Sequence, residues 1–135
     1  MDEALRADGW EHLPSEGLIA HLGGLWQRIT EGEIEFGFVA GPHHLNLHGV
    51  VHGGMMMTLV DRAFALAAHH YSQADPMATI SLSHQFLAPM SCGSFARVGP
   101  RLLKSTPRMA FIEGTLTSGG EPLLQAQGVW RMKSH

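Results

Sequence analysis

The sequence predicts an α+β domain in which a curled antiparallel sheet wraps around one long central helix. Two observations carry that expectation. Residues 54–70 are rich in Met, Leu and Ala, which are strong helix formers, and the segment is apolar nearly all the way round, so other parts of the protein must enclose it. From Met77 to Met132 four candidate strands follow, with turn residues between them and no second helix that could serve as a parallel crossover.

Taken in order, residues 1–18 mix charge, Gly and Pro around Trp10 and Leu13. They read as an arm or short helix ending in the turn Pro14-Ser15-Glu16-Gly17, with the domain proper at 19–135. Residues 18–25 are apolar with a Gly pair. After Gly32, residues 33–39 alternate polar and apolar, the period of a strand with one buried face. Gly41-Pro42-His43-His44 breaks that strand, and residues 45–51 form a loop containing Gly49. Beyond the helix the candidate strands are 78–87, 95–104, 108–117 and 123–131. They are separated by Pro89 and Gly93, by Pro107, and by Gly119-Gly120, a spacing that suits an antiparallel meander.

Composition limits the function classes. A chain of 135 residues with 44% hydrophobic content has the length and core of one domain. Nine Lys and Arg against twelve Asp and Glu give a formal charge of -3, which provides neither a nucleic-acid footprint nor an acidic tail. The apolar runs fall short of the roughly 20 residues that a spanning helix needs, and the acidic N-terminus is unlike a signal peptide. A cytoplasmic protein with no membrane partner is expected. Cys92 is the only cysteine and sits in a Pro-Gly turn, which excludes an intrachain disulfide and makes a weak case for a nucleophile. His43, His44, His48 and His52 crowd one Gly-rich loop, yet no Cys or paired carboxylate completes a zinc spacing. No metal and no cofactor is expected.

The chemistry concentrates between Asn46 and Asp61. Gly53 and Gly54 lie where the loop enters the helix, and there the first N–H groups lack intrahelical partners and the macrodipole is positive. Such a point can hold an oxyanion, and glycine lets a carbonyl approach the backbone closely. Asp61 interrupts the apolar helix two turns later, with Met57, Thr58, Phe64 and Ala65 at neighbouring helical spacings. A carboxylate there must be paired, hydrogen-bonded or neutralised, and Arg62, about 100° round the helix, is badly placed to do it. Eight residues separate Gly53 from Asp61, a rise of about 12 Å, so one helix cannot bring them together. Two helices running antiparallel across a two-fold axis could.

At these residues the chain resembles hotdog-fold acyl-CoA thioesterases of the phenylacetate-degradation (PaaI) type, relatives of 4-hydroxybenzoyl-CoA thioesterase. The resemblance rests on His52-Gly53-Gly54, Asp61 eight residues past the first glycine, Asn46 six before the histidine, and Phe86-Leu87-Ala88-Pro89 closing the next strand. It covers residues 30–132. It implies a hotdog fold, an acyl-CoA partner, and a homodimer assembled as a homotetramer. It further implies that the Gly53 N–H polarises the thioester carbonyl and that Asp61 of the partner subunit attacks it or activates water. Asn46 would orient the carbonyl or the water, and a hydroxyl residue on the next strand would stand near the acid. Thr79 occupies that place, with Ser81 as the alternative, since strict alternation puts both on one face. His52 would shape the loop.

Substrate contacts are expected from Gly54 and from Met57, with Met55 and Met56, at the acyl group. Lys104 and Arg108, flanking the Ser105-Thr106-Pro107 turn, are candidates for the coenzyme A phosphates. The alternative is a hotdog module that binds acyl-CoA without hydrolysing it. A carboxylate at position 61 argues against it, because binding alone does not require a desolvated acid beside the thioester. Hotdog hydratases place an Asp and a His in another motif, which this sequence lacks.

Overall fold

The computed structural model describes residues 1–133, so the last two residues of the expected 19–135 domain lie outside the described residues. The elements run α1 (Asp2–Ala7), β1 (Glu11–His12), α2 (Gly17–His21), β2 (Trp26–Thr30), β3 (Glu33–Val39), a 3-10 turn (Pro42–His44) and α3 (Gly53–Ser72). Then follow β4 (Asp75–Phe86), β5 (Phe95–Val98), β6 (Arg101–Ser105), β7 (Met109–Ser118) and β8 (Glu121–Lys133). The strands form one antiparallel sheet in the order β1-β2-β3-β5-β7-β8-β4, with β6 also paired to β7. The sheet curls around α3, which is the hotdog arrangement.

Enclosure of α3 is what builds the core. Val60, Ala63, Phe64, Ala67 and Ala68 have no exposed surface, and they meet Phe36, Ile112, Leu116, Leu124, Ala126 and Trp130 from the sheet. The helix is not covered all round, however. Met57 is 39% exposed, Thr58, Asp61 and Ala65 are half-buried and Arg62 is exposed, so one stripe of α3 stays open. Gln73 ends the helix in the left-handed conformation, its N–H donating to His69 O at 2.8 Å.

The sheet departs from the expected meander in two places. First, β4 pairs with β8 rather than with β5, so the strand following the helix becomes a free edge and the chain crosses to the far side before returning. Second, the expected strand 95–104 is broken at Gly99-Pro100 into β5 and β6, since proline has no N–H for the ladder. Both halves still pair with β7. The sequence also hid β2, whose residues alternate poorly, and the arm's own attachment. Leu5 and Trp10 pack against Trp26, and the Arg28 guanidinium lies over the Trp10 ring while bonding Asp8 and Glu35.

The long edge strand β4 carries two register shifts, between Pro76 and Ala78 and between Thr79 and Ser81. The second one is a bulge at Ile80. Directly opposed residues of an antiparallel pair share a face. Thr79, Leu82, His84 and Phe86 stand opposite Trp130, Gly128, Ala126 and Leu124, so they face the helix. Ser81, Ser83 and Gln85 stand opposite Val129, Gln127 and Gln125 and face outward.

Helix and sheet approach closely at Gly114 of β7, where a Cβ would lie 2.9 Å from Val98 Cγ2 and 3.1 Å from the Phe64 ring. Gly114→Val should therefore lower the unfolding free energy by about 1–3 kcal/mol, the usual result of overpacking. Urea titration checks it: the midpoint should fall at constant slope, and an unchanged midpoint would mean that Phe64 does not pack there.

Candidate active site

The entry to α3 is tied down from behind by histidines. His44 is buried; its Nδ1 accepts from the Gly41 N–H at 3.0 Å, which leaves its proton on Nε2 to donate to Leu22 O at 2.7 Å. His44 O in turn accepts from the His52 N–H at 2.7 Å, and the Val51 N–H donates to Met90 O at 2.9 Å. The loop before the helix is thereby fixed to the end of α2 and to the β4–β5 connection. His43 adds a second contact to Leu22 O at 3.2 Å. These histidines bond backbone carbonyls and N–H groups, and no group of His, Cys, Asp or Glu suited to a metal ion is found among the described residues.

At the helix start the orphan donors are divided. His52 is the N-cap, and its Nδ1 accepts from the Gly54 N–H at 2.8 Å. Its backbone carbonyl accepts from Met55 at 2.9 Å and Met56 at 3.4 Å. The Gly53 N–H has no such partner among the described residues. The Phe86 ring lies over Gly53, where a Cβ would come within 3.1 Å of it. A Cβ at Gly54 would meet the capping His52 ring at 2.9 Å. Glycine is needed at both positions for room.

Asp61 stands on the open stripe of α3 and accepts a hydrogen bond from Thr79 Oγ1 at 2.6 Å. It has no ion pair with Arg62 or with any other cation among the described residues. Its second oxygen is left for another donor. The carboxylate lines a cleft of about 330 Å³ with Thr58, Arg62, Ala65, Met77, Thr79 and Trp130, and α2 closes the far side through Leu18 and Ile19, with Glu16 just before it. A second cleft of about 280 Å³ continues towards the helix start past Leu22, His44, Leu45, His52, Gly54 and Met55, sharing Leu18 and Thr58 with the first. Thr58 Oγ1 is turned back onto Gly54 O at 2.7 Å, so its methyl group is left to the clefts.

The remaining expected residues fall differently. Ser81 does not share a face with Thr79, because the bulge at Ile80 inverts the alternation and turns Ser81 outward. Asn46 uses its side-chain oxygen to hold the loop, accepting from His48 N at 2.8 Å and Val50 N at 3.3 Å, and only its amide group remains to orient anything. Met56 is core filling at 3% exposure, and Met57 lies outside both clefts. Lys104 projects from the sheet face away from the helix beside Phe111, and Arg108 lies in an exposed turn capped by Thr106, so neither reaches the clefts of its own chain. Sequence reasoning missed the wall from α2 and missed His84, which the bulge turns towards the helix. Its spacing of two from Phe86 was the available signal.

Residues 48–125 match the family described as Thioesterase superfamily, and the chain belongs to that superfamily. Among individual relatives, the Pseudomonas aeruginosa protein named "Putative esterase PA0474" is 33% identical over 90 residues, 66% of this chain and 67% of that protein. Acyl-coenzyme A thioesterase 13 of Homo sapiens is 28% identical over 85 residues, 63% of this chain and 61% of that protein. In fold, the chain is similar to a mutant of the phenylacetic acid degradation protein PaaI from Thermus thermophilus, with a TM-score of 0.68 and 23% identity, covering 96% of this chain and 98% of that one. It is also similar to a hypothetical thioesterase protein with coenzyme A from Streptococcus pneumoniae, with a TM-score of 0.76 and 14% identity, covering 93% and 97%. No helix among the described residues is long and apolar enough to cross a membrane.

Burial pushes the pKa of His44 below its ordinary value of 6.5, with the neighbouring His43 acting the same way and the Leu22 carbonyl opposing. The folded state therefore holds fewer protons than the unfolded chain over the window below pH 6.5. This contribution to stability is complete above the unfolded value and is lost as pH falls through the lower folded value. Unfolding free energy should decline as pH drops from 7 to 5, and less steeply in His44→Gln. Urea titrations at a series of pH values test this, and equal slopes in the two proteins would show that His44 is not the group responsible.

Proposed function

We propose that this protein is an acyl-CoA thioesterase of the PaaI and 4-hydroxybenzoyl-CoA type, which hydrolyses an aromatic or medium-chain acyl-CoA to the free acid and CoA. The observation that carries the proposal is the Asp61 carboxylate, held through one oxygen by Thr79 and open to a largely apolar cleft. In this reading the free Gly53 N–H, at the positive end of α3, stabilises the oxyanion formed from the thioester carbonyl. One such donor is typically worth about 2.7–4 kcal/mol in the transition state. The new C–O bond forms as the carbonyl becomes tetrahedral, and its collapse breaks the C–S bond and expels the CoA thiolate. Asp61 either takes the proton of the attacking water and passes it to the departing thiolate, or attacks the carbonyl itself to give a mixed anhydride that water then hydrolyses, freeing the acid and regenerating the carboxylate. Thr79 keeps the carboxylate aimed, His52 fixes the loop, and Gly54, Met57 and Ser81 stand as substrate contacts to be tested. So do the amide of Asn46 and the exposed Lys104 and Arg108, the last two for the nucleotide.

Gly53 and Asp61 are about 12 Å apart along one rigid helix. The proposal therefore pairs Gly53 of one chain with Asp61 of the partner subunit in a homodimer, assembled further into a homotetramer. Strand β4 supports this. It is a twelve-residue strand at the edge of the sheet among the described residues, and Met77, Ile80 and Phe86 on it are 59%, 53% and 52% exposed. A long apolar edge of that kind is a template for pairing with a second chain.

Thiol release from a panel of aromatic and aliphatic acyl-CoAs tests the activity itself. Asp61→Asn keeps the shape and removes the basicity, so it should reduce kcat by about 10²–10⁴-fold while the protein stays folded. Hydrolysis within severalfold of the parent would make Asp61 structural.

Subunit complementation tests the geometry. Asp61→Asn and Gly53→Val chains are each inactive as homodimers, but a mixed dimer contains one intact site. With random pairing about half of the dimers are mixed, and activity should recover to roughly a quarter of the parent value. No recovery, with exchange of subunits verified, would place both residues in one chain's site.

A further inference from the structure

We propose that His84 is a positioning residue for Asp61: its imidazole faces the carboxylate from the helix side of β4, leaves it free when neutral and competes for it when protonated. The inference rests on the reading of Asp61 as the catalytic acid. Its starting point is the bulge at Ile80. Residues 79 and 84 are five apart, so an unbroken strand would put them on opposite faces. The extra residue puts both against α3, Thr79 opposite Trp130 and His84 opposite Ala126.

Further features put His84 on the face of β4 that covers the site. Phe86, its neighbour on the same face, lies parallel to it with ring centres 6.3 Å apart and covers Gly53. By i, i+4 spacing Gly53, Met57 and Asp61 form one row on the helix, and the helix-facing row of β4, Phe86, His84, Leu82 and Thr79, runs over it from the free N–H to the acid. The Nε2 of His84 is fully buried and has no hydrogen-bond partner among the described residues. A buried ring nitrogen without a partner is uncommon and calls for a reason, and a nearby carboxylate is one.

The electrostatics agree. Burial favours the neutral imidazole, while the charge of Asp61 pulls the other way and is the one charged group felt by His84. From β8 the facing residues are Leu124, Ala126, Gly128 and Trp130, none of which titrates. From α3 the facing group is Asp61, with Arg62 and Glu16 at the rim of the cleft beyond it. At neutral pH the carboxylate is thus held by Thr79 alone. Acidification creates an imidazolium inside the sheet's helix face, which draws the carboxylate towards β4 and away from Thr79.

Two groups that interact in this way shift each other's titration equally. The test is an imidazole NMR titration of the full-length parent and of Asp61→Asn, with the His84 resonance assigned from His84→Gln. The His84 midpoint should fall measurably when the carboxylate is removed, because the Asp61 charge is what pulls it upward. An unmoved midpoint overturns the proposal. In the activity arm, kcat/KM of the parent should fall on the acid side at the His84 midpoint. His84→Gln should match the parent within severalfold at neutral pH and keep severalfold more of its neutral-pH activity at pH 5.5. His84→Asn serves as the second variant should the glutamine not fold. An acid limb unchanged by either variant also overturns the proposal. Coupled titration in a protein that hydrolyses no acyl-CoA would uphold the His84–Asp61 pairing and sink the thioesterase reading instead.

Discussion

A single constraint organises this molecule: α3 is apolar over most of its circumference and has to be enclosed. Each fully buried Leu, Val or Phe side chain contributes about 1.5–3 kcal/mol when withdrawn from water, and α3 carries Leu59, Val60 and Phe64 in that state. Ala63, Ala67 and Ala68 are equally buried but small, so the sheet can close tightly on the helix on that side. An antiparallel sheet meets the demand only by curling, and a curled sheet with free edges does not close completely. The stripe through Met57, Thr58, Asp61 and Ala65 is what it leaves open. A carboxylate could not stand on the buried face of this helix without losing several kcal/mol of hydration. On the open stripe it keeps partial access to water and needs only the Thr79 hydroxyl.

That dependence explains what was legible in the sequence and what was not. The helix, strand β3 and the positions of β4, β7 and β8 are local patterns, set by the 3.6 and 2.0 periods and by Gly and Pro punctuation, and they stand within a few residues of where periodicity puts them. The partner of β4 is a different kind of fact. Pairing β4 with β8 instead of β5 depends on how the sheet wraps the helix, and no turn residue encodes it. The break at Gly99-Pro100 was written plainly, yet alternation on either side of it made one strand look continuous. Strand β2 escaped because its exposed Ile29 and buried Trp26 do not alternate with polar neighbours.

The same distinction runs through the site. His52, Gly53, Gly54 and Asp61 occupy one loop-helix unit, so spacing alone places them. Thr79 comes from the next strand and was reachable only through the family resemblance. Its choice over Ser81 could not be made from the sequence, because one extra residue at Ile80 inverts every later side chain of β4. His84 was hidden from alternation with Thr79 for the same reason, and only its spacing of two from Phe86 pointed to the helix. On strict alternation with Thr79 it faces solvent, whereas on the bulged strand it faces the helix. The wall formed by Leu18 and Ile19 is still more remote, since α2 is brought to the cleft by the bonds of His43 and His44 to Leu22 O.

The helix start then shows how a rigid element limits the chemistry. Of the early N–H groups, Gly54, Met55 and Met56 are satisfied by His52, side chain and carbonyl together. That leaves Gly53 as the donor at the positive end of the macrodipole, beneath the Phe86 ring. A donor so placed is suited to a developing negative charge, and the Asp61 carboxylate on the same helix is two turns away. The helix cannot bend to bring them together, because its hydrogen bonds and its buried face both hold it straight. Any reaction that uses both groups at one carbonyl must therefore take the donor from one helix and the carboxylate from another. The edge strand that carries Thr79, His84 and Phe86 has a neighbour on one side only, β8, among the described residues. The side chains that frame the acid and the glycine thus lie where a second copy of the sheet would have to dock.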